Sequence, residues 1–494
     1  MSRTKGILSV IGCSIIYFSI GLYFSSGNTA IYLTSYLRAK TGSNATLTDS
    51  VWFLYAVGLS AVILPFGGWL DSKIGARGVC LLGGLLQSGG IIGTYFALDH
   101  SFLLVLICYG GSFLLSCGVA YTGPLVEINK WFPEKKGLVT GIACASMAFA
   151  PTAWTPLITT QINPLNIPPD MKGYFTDTLV LERTKDSLIF QGLVTMFMFA
   201  LGTALLYPAP SAEDIESEKK ASGNLDSNPD KLSSYRFDDG LTPSQAVRTF
   251  EFLILSIKIM LTELVFFYLL FVYKPFGQTF IHNDLMLSTI GACAGLSNTF
   301  CRLFMGYVKD IFSYKVCCLP LSALSTILIA SLPFTSMAHP LVYSVAVVAA
   351  LGIIGSQYAL MPSAVTDIFG EKHASINIGL VYVSTVIADV GGALGSQYLT
   401  EYLGWTGMIY AISFCAFMDF LATFALPSDP AKRLREKLDG DKHTMTEVTQ
   451  SYTISLPRGK LSSPSPAYNY NRSAVPVPVI LPEIYLLRKE STKR

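Results

Sequence analysis

Asn298, Arg302, Gly306 and Asp310 recur every four residues in the stretch 284–315, and residues 285–308 are apolar enough to cross a bilayer. On an α-helix that spacing sets the four along one slowly drifting stripe. An arginine at such depth costs about 2.5–3.5 kcal/mol on insertion scales, so it faces a partner or a wet cavity. Its guanidinium stays charged and presents a planar fork of donors that matches a carboxylate. The chemistry indicated is capture of a small-molecule anion partway across a membrane, along the path of a secondary transporter.

Other charges lie in apolar stretches too. Lys258 and Glu263 share one, about 140° apart in helical projection, and are not expected to pair with each other. Glu263 or Asp389 either compensates an empty Arg302, carries a coupling proton, or sits in a fixed ion pair. Asp419 is expected to be structural. The histidines fall in loops and the tail, and no cysteine pair has metal-ligand spacing. The reading is therefore of a protein that is not an enzyme and needs no metal or cofactor. A net charge of +2 without a basic patch also argues against nucleic acid as a partner.

The elements that must position these residues are membrane helices. The chain is 51% hydrophobic and only 14% charged, well short of the charge usual in soluble proteins. Twelve segments are long and apolar enough to span lipid, the first near 7–27 and the last near 404–426. The first is too long for a signal-peptide core. Counting loops from a cytosolic N-terminus places Lys73, Arg77, Lys130, Lys135, Lys136 and Lys309 inside, with fewer basic residues outside, so both termini are expected in the cytosol. The membrane is expected to be the plasma membrane. The sequon at Asn44 then lies outside and predicts a glycoprotein.

Residues 208–248 are polar, charged and punctuated by proline, and read as a cytosolic linker. It separates an N-terminal six-helix bundle (1–207) from a C-terminal one (249–427). The remainder, 428–494, reads as a disordered cytosolic tail, whose Pro476-Val477-Pro478-Val479 run offers a strip for a cytosolic partner. The halves echo each other. Gly67 and Asp71 return as Gly306 and Asp310, 239 positions later, and Pro124 and Gly141 return as Pro362 and Gly379, 238 later. A duplicated six-helix unit explains this, and transporters built so bind substrate where the halves meet.

Gly67-Gly68-Trp69-Leu70-Asp71-Ser72-Lys73-Ile74-Gly75-Ala76-Arg77 resembles the loop motif of the major facilitator superfamily, with Gly75 one position late and Ser72 in place of a base. Gly67 permits close helix approach, and Asp71 can accept bonds from Arg77 or from the N-terminal amides of a neighbouring helix. With Gly306 and Asp310 these residues would form a conformational latch. The run from Trp131 to Ala145 resembles the fifth-span entry of monocarboxylate transporters and oxalate:formate antiporters. Phe132, Lys135, Lys136 and Gly141 match, whereas Glu134 and Val139 depart. Gly27-Asn28 with Tyr32 to Arg38, and Phe369-Gly370 with Asn377, Gly379 and Tyr382, resemble the oxalate:formate side.

The resemblance implies an all-α integral membrane protein of twelve transmembrane helices, arranged as two pseudo-symmetric six-helix bundles. It implies transport by alternating access. Arg302 matches the substrate arginine of both groups. Asn298 stands where proton-coupled carriers have an aspartate, and Asn28 near their first-span lysine. Thr385 falls where oxalate:formate antiporters carry a second cation. With one fixed cation, a monocarboxylate balances better than a dianion. The expected substrate contacts are thus Arg302, Asn298, Asn28, Tyr32, Tyr382 and Thr385, with membrane lipid around them. The alternatives are a carrier for another small solute, or a non-transporting receptor or scaffold on the same fold.

Overall fold

Long apolar helices account for almost all of the 494-residue chain that the computed structural model describes, namely residues 3–46, 49, 52–170, 173–209, 240–281, 284–395 and 399–434. Most of the linker reading and nearly all of the tail reading, with its Pro-Val run, fall outside those residues. Ten helical stretches are long and apolar enough to cross a membrane. One of them, Ala56–Ala97, reverses at Gly75, whose φ of 72° and ψ of 167° suit a residue without a Cβ, and so contributes two spans. The helix Asp284–Ile311 adds the twelfth, its apolar content diluted by the polar stripe through Arg302.

In chain order, span 1 is Arg3–Ile20, continuing through a tight turn into Ser26–Thr41. Spans 2 and 3 are the two arms of Trp52–Gly58 and Ser60–Ala97 on either side of Gly75. Span 4 runs from Phe102 to Trp131, through a π-helical turn at Leu106–Gly110. Span 5 is Lys136–Ile162 and span 6 is Thr178–Leu205. Span 7 is Phe250–Gln278, span 8 Asp284–Ile311, span 9 Tyr314–Ala338 and span 10 Pro340–Phe369. Span 11 comprises Ala374–Tyr382 and Thr385–Leu394, and span 12 lies in Thr400–Ala425.

Local chemistry fixes where spans begin. Asp177 accepts from the amides of Leu179 and Val180 to cap span 6, Thr249 caps span 7 through Phe252, and Ser313 caps span 9 through Val316. His339 caps span 10, with Pro340 at its first turn. A small helix, Pro243–Ala246, precedes span 7, closed by reciprocal bonds between Thr242 and Gln245. Its leading strand of chain is tied to span 10 by Leu241 N–H donating to the Phe369 carbonyl.

Spans 1–6 form one bundle and spans 7–12 the other, and the seam between them is made by span 2 with span 11 and by span 5 with span 8. Small residues set the closeness of that seam. A methyl group added at Gly141 would come within 2.7 Å of the Arg302 carbonyl, and one at Gly379 within 2.6 Å of the Leu64 carbonyl carbon. Helices that touch backbone to backbone gain dispersion contacts and weak polar contacts, which replace the hydrophobic drive that is missing in lipid. The C-terminal bundle packs around Phe276, Leu287, Tyr343 and Ile409, and the aromatic residues Phe266 and Tyr268 join that core.

Candidate functional site: a buried arginine at the seam

Arg302 sits on span 8 where it meets span 5, and only 3% of it is exposed. Its Nε donates to Asn298 Oδ1 at 2.8 Å and one terminal nitrogen donates to the Cys144 carbonyl at 3.2 Å. Both partners are neutral. Among the described residues no carboxylate lies within ion-pair distance of it. Tyr358 of span 10 lies beside the guanidinium, 6.0 Å from ring centroid to charge centre. Depth follows from helix geometry. At about 1.5 Å per residue, Arg302 lies roughly 12 Å from Asp310, at the end of span 8, which places it well inside the membrane body.

Around Arg302 the structure gathers a ladder of tyrosines that crosses the seam. Tyr17 of span 1 donates to the Tyr121 carbonyl at 2.6 Å, and the two rings are 5.1 Å apart. Tyr121 of span 4 meets Tyr382 of span 11 edge-on at 6.0 Å. Tyr382 in turn meets Tyr358 at 5.1 Å and donates to its carbonyl. Tyr382 was expected at the site. Tyr17, Tyr121 and Tyr358 were not singled out, and the signal that pointed to them was a hydroxyl inside lipid depth that must find a partner.

Glu263 of span 7 and Asp389 of span 11 lie within electrostatic reach of each other, and Arg302 is within reach of Glu263. Glu263 is 7% exposed, and both its Oε2 and the Asp389 Oδ2 are buried without a hydrogen-bond partner. Asp389 presses on Gly58 at the start of span 2, where an added methyl would come within 2.6 Å of Oδ2. Lys258 turns the other way. Its ammonium bonds Asp419 at 3.0 and 3.1 Å and Gln357 at 2.8 Å, while Ser322 and Thr262 complete the Asp419 shell. As expected, it does not pair with Glu263.

The remaining expected contacts are engaged elsewhere. Asn28 donates to Thr159 Oγ1 at 3.1 Å, and Tyr32 stacks on Phe175 with ring centroids 4.8 Å apart. Thr385 returns its hydroxyl to the Tyr382 carbonyl. The structure brings together Arg302, Asn298 and Tyr382, and leaves Asn28 and Tyr32 within the N-terminal bundle. Asn44 is exposed on the opposite end of span 1 from Arg3.

The face bearing the loop motifs is held shut. Asp310 accepts from the amides of Gly137 and Leu138 at 2.6 and 2.7 Å, placing a carboxylate on the positive end of span 5. Asp71 accepts from the Ser375 hydroxyl at 2.6 Å at the start of span 11. Arg77 is not its partner. That guanidinium donates to the Leu206 carbonyl and lies over Tyr207. Lys136 bridges the bundles to Glu371 at 2.8 Å and Asp367 at 3.4 Å, and Lys309 also holds Asp367. Phe132 packs against Gly6, and Lys135 is exposed.

The family model described as the Major Facilitator Superfamily matches residues 14–353 and 255–481. The chain belongs to that superfamily. This major facilitator protein is 24% identical to "Apicoplast pyruvate carrier 1" of Toxoplasma gondii, with 88% of this chain and 91% of the relative covered. It is 22% identical to the oxalate:formate antiporter of Oxalobacter formigenes, over 75% of this chain and 81% of that one. Among solved structures, the fucose:proton symporter of E. coli superposes with a TM-score of 0.60 at 13% identity, covering 86% of this chain and 100% of that one. The superfamily, the multi-pass membrane fold and the likeness to the oxalate:formate branch agree with the expectations from sequence.

Proposed function

We propose that this major facilitator protein is a secondary carrier of small monocarboxylates, pyruvate among them, working by alternating access with Arg302 as the anion anchor. The observation that carries the reading is the state of Arg302: buried at the seam and, among the described residues, bonded only to the neutral oxygens of Asn298 and Cys144. A charge taken out of water is tolerable when a counter-charge can reach it. A carboxylate accepting two parallel bonds from the guanidinium supplies one. Lys258 is committed to Asp419 and Thr385 is neutral, so among the described residues the membrane-buried part of the seam offers Arg302 as its one uncommitted cation, which suits a monoanion better than oxalate. The pyruvate and oxalate:formate carriers it resembles support the same class.

Tyr382 and Tyr358 wall the anion, and Glu263 or Asp389 balances the guanidinium when the site is empty. The shut face is cytosolic on this reading, with both termini beside it and Asn44 outside. The plasma membrane is the compartment proposed, and imaging a tagged chain tests it. The decisive experiment is counterflow in proteoliposomes with labelled pyruvate against lactate, formate, oxalate and a neutral sugar. Pyruvate should exchange, and Arg302→Ala should lower the rate by about a hundredfold or more, as loss of a desolvated charge-assisted pair of 3 kcal/mol or so implies. Exchange at the wild-type rate by a correctly incorporated Arg302→Ala protein overturns the reading.

A further inference from the structure

We infer that Gly355 of span 10 is a positioning residue of the anion site: its bare backbone seats the Asn298 amide, and the seated amide aims Arg302. The inference deepens the monocarboxylate reading and rests on it.

Spans 8 and 10 press together along glycine. Gly352 and Gly355 are both buried within Pro340–Phe369, three residues apart, and Tyr358 follows at the same spacing. Residues so spaced are neighbours on a helix surface. Glycine inside a helix weakens it, so each of the pair calls for a packing reason. The reasons differ. A methyl group on Gly352 would come within 2.2 Å of Ser297 Oγ, and among the described residues Ser297 is not a partner of Arg302. A methyl group on Gly355 would come within 2.2 Å of Asn298 Oδ1, 2.6 Å of its Cγ and 2.8 Å of its Nδ2. The whole amide group therefore lies against the Gly355 backbone, in room that only a missing side chain leaves.

That amide sets the guanidinium. Asn298 Oδ1 accepts from Arg302 Nε at 2.8 Å, and the Cys144 carbonyl accepts from one terminal nitrogen at 3.2 Å. A guanidinium carries five N–H donors, one on Nε and two on each terminal nitrogen. The donors left over thus belong to the two terminal nitrogens, and a planar carboxylate meets such a pair end-on with two parallel bonds. Asn298 decides which edge of the guanidinium the anion meets, and Gly355 decides where Asn298 can be. Tyr358, next along span 10, brings its ring to 6.0 Å from the same charge.

The two bonds of Arg302 differ in permanence. Spans 8 and 10 belong to one bundle, so Asn298 and Gly355 travel with the arginine. Cys144 belongs to span 5 of the other bundle, and its bond lapses when those helices separate. The edge offered is then the same from whichever side the anion comes. An amide displaced by a methyl group leaves Nε without its acceptor, and a buried charged donor left unpaired turns to another one.

The test is pyruvate counterflow by the whole protein in proteoliposomes, read as KM and maximal rate. Gly355→Ala should raise KM about tenfold, the worth of one hydrogen bond to a charged group, with the maximal rate within about twofold of wild type. Gly352→Ala, an equally tight methyl group one turn away, should leave KM unchanged. Asn298→Ala should raise KM as much as Gly355→Ala, and the two together no more than either alone, because both act through one bond. If Gly355→Ala does not incorporate, the double variant decides, since Asn298→Ala removes the amide that the methyl group would strike. It should incorporate and share the KM of Asn298→Ala. Its failure where Asn298→Ala incorporates overturns the inference, as does a wild-type KM in Gly355→Ala or Asn298→Ala, or an equal rise in Gly352→Ala. Each of those outcomes leaves the carrier reading standing. Absence of any pyruvate exchange by wild-type protein removes both.

Discussion

The bond from Arg302 Nε to Asn298 Oδ1, 2.8 Å long, decides how available the arginine is. An amide oxygen orients the guanidinium without neutralising it. Asn298→Asp would convert that bond into a charged pair at one-turn spacing, competing with the substrate for the same cation. KM for pyruvate should rise about tenfold at neutral pH, the worth of one extra charged hydrogen bond of roughly 1.4 kcal/mol or more. Acidification should relieve the effect as the introduced carboxyl group is protonated, and KM measured across pH 5 to 8 checks it. Arg302 was legible from sequence because a lone cation in an apolar run has few explanations. Tyr121 and Tyr358 were not, because a tyrosine in a span is ordinary until its ring is seen against Tyr382, across the seam for Tyr121 and within the C-terminal bundle for Tyr358.

At the scale of elements, the Lys258–Asp419 pair ties spans 7, 9, 10 and 12 of one bundle through Ser322, Gln357 and Thr262. Both charged side chains are nearly inaccessible, at 1% and 4%. Such a pair gains little over a well-packed apolar substitute, yet removing one member strands the other. Lys258→Met should therefore destabilise the protein by about 3–5 kcal/mol, and Lys258→Met with Asp419→Leu should recover most of the loss. Thermal unfolding in detergent reads both. Sequence put Lys258 and Asp419 in separate spans, 161 positions apart, and gave no hint of the pairing. It did exclude the nearer partner, since a helix turns Lys258 and Glu263 to different faces.

The superfamily fold of the molecule was legible in its motifs, and the duplicated plan expected for it rests on matched Gly–Asp and Pro–Gly positions at nearly one offset, 239 and 238 positions along the chain. What the offset could not convey is which of the two ends is closed. That depends on contacts across the seam: Gly137 against Gly306, Asp310 on the start of span 5, Asp71 on Ser375, and Lys136 reaching Glu371. Gly306→Leu should wedge spans 5 and 8 apart at that face. A cysteine introduced by Ile376→Cys, near the paired contact of spans 2 and 11, should then react several-fold faster with an aqueous thiol reagent. Unchanged reactivity against the Ile376→Cys background would show that the glycine contact does not govern the seal.

Asp367 belongs to two lysines at once. Lys309 is its companion within the C-terminal bundle, and Lys136 reaches it from the other side. When the bundles part, Lys136 leaves, Asp367 retains Lys309, and Glu371, whose side chain is 41% exposed, passes from Lys136 to water. Asp367 thus keeps a counter-charge throughout the release, which makes the energetic step shallower at that point of the clasp. A seal made this way favours rapid, reversible shuttling over a state that, once shut, stays shut.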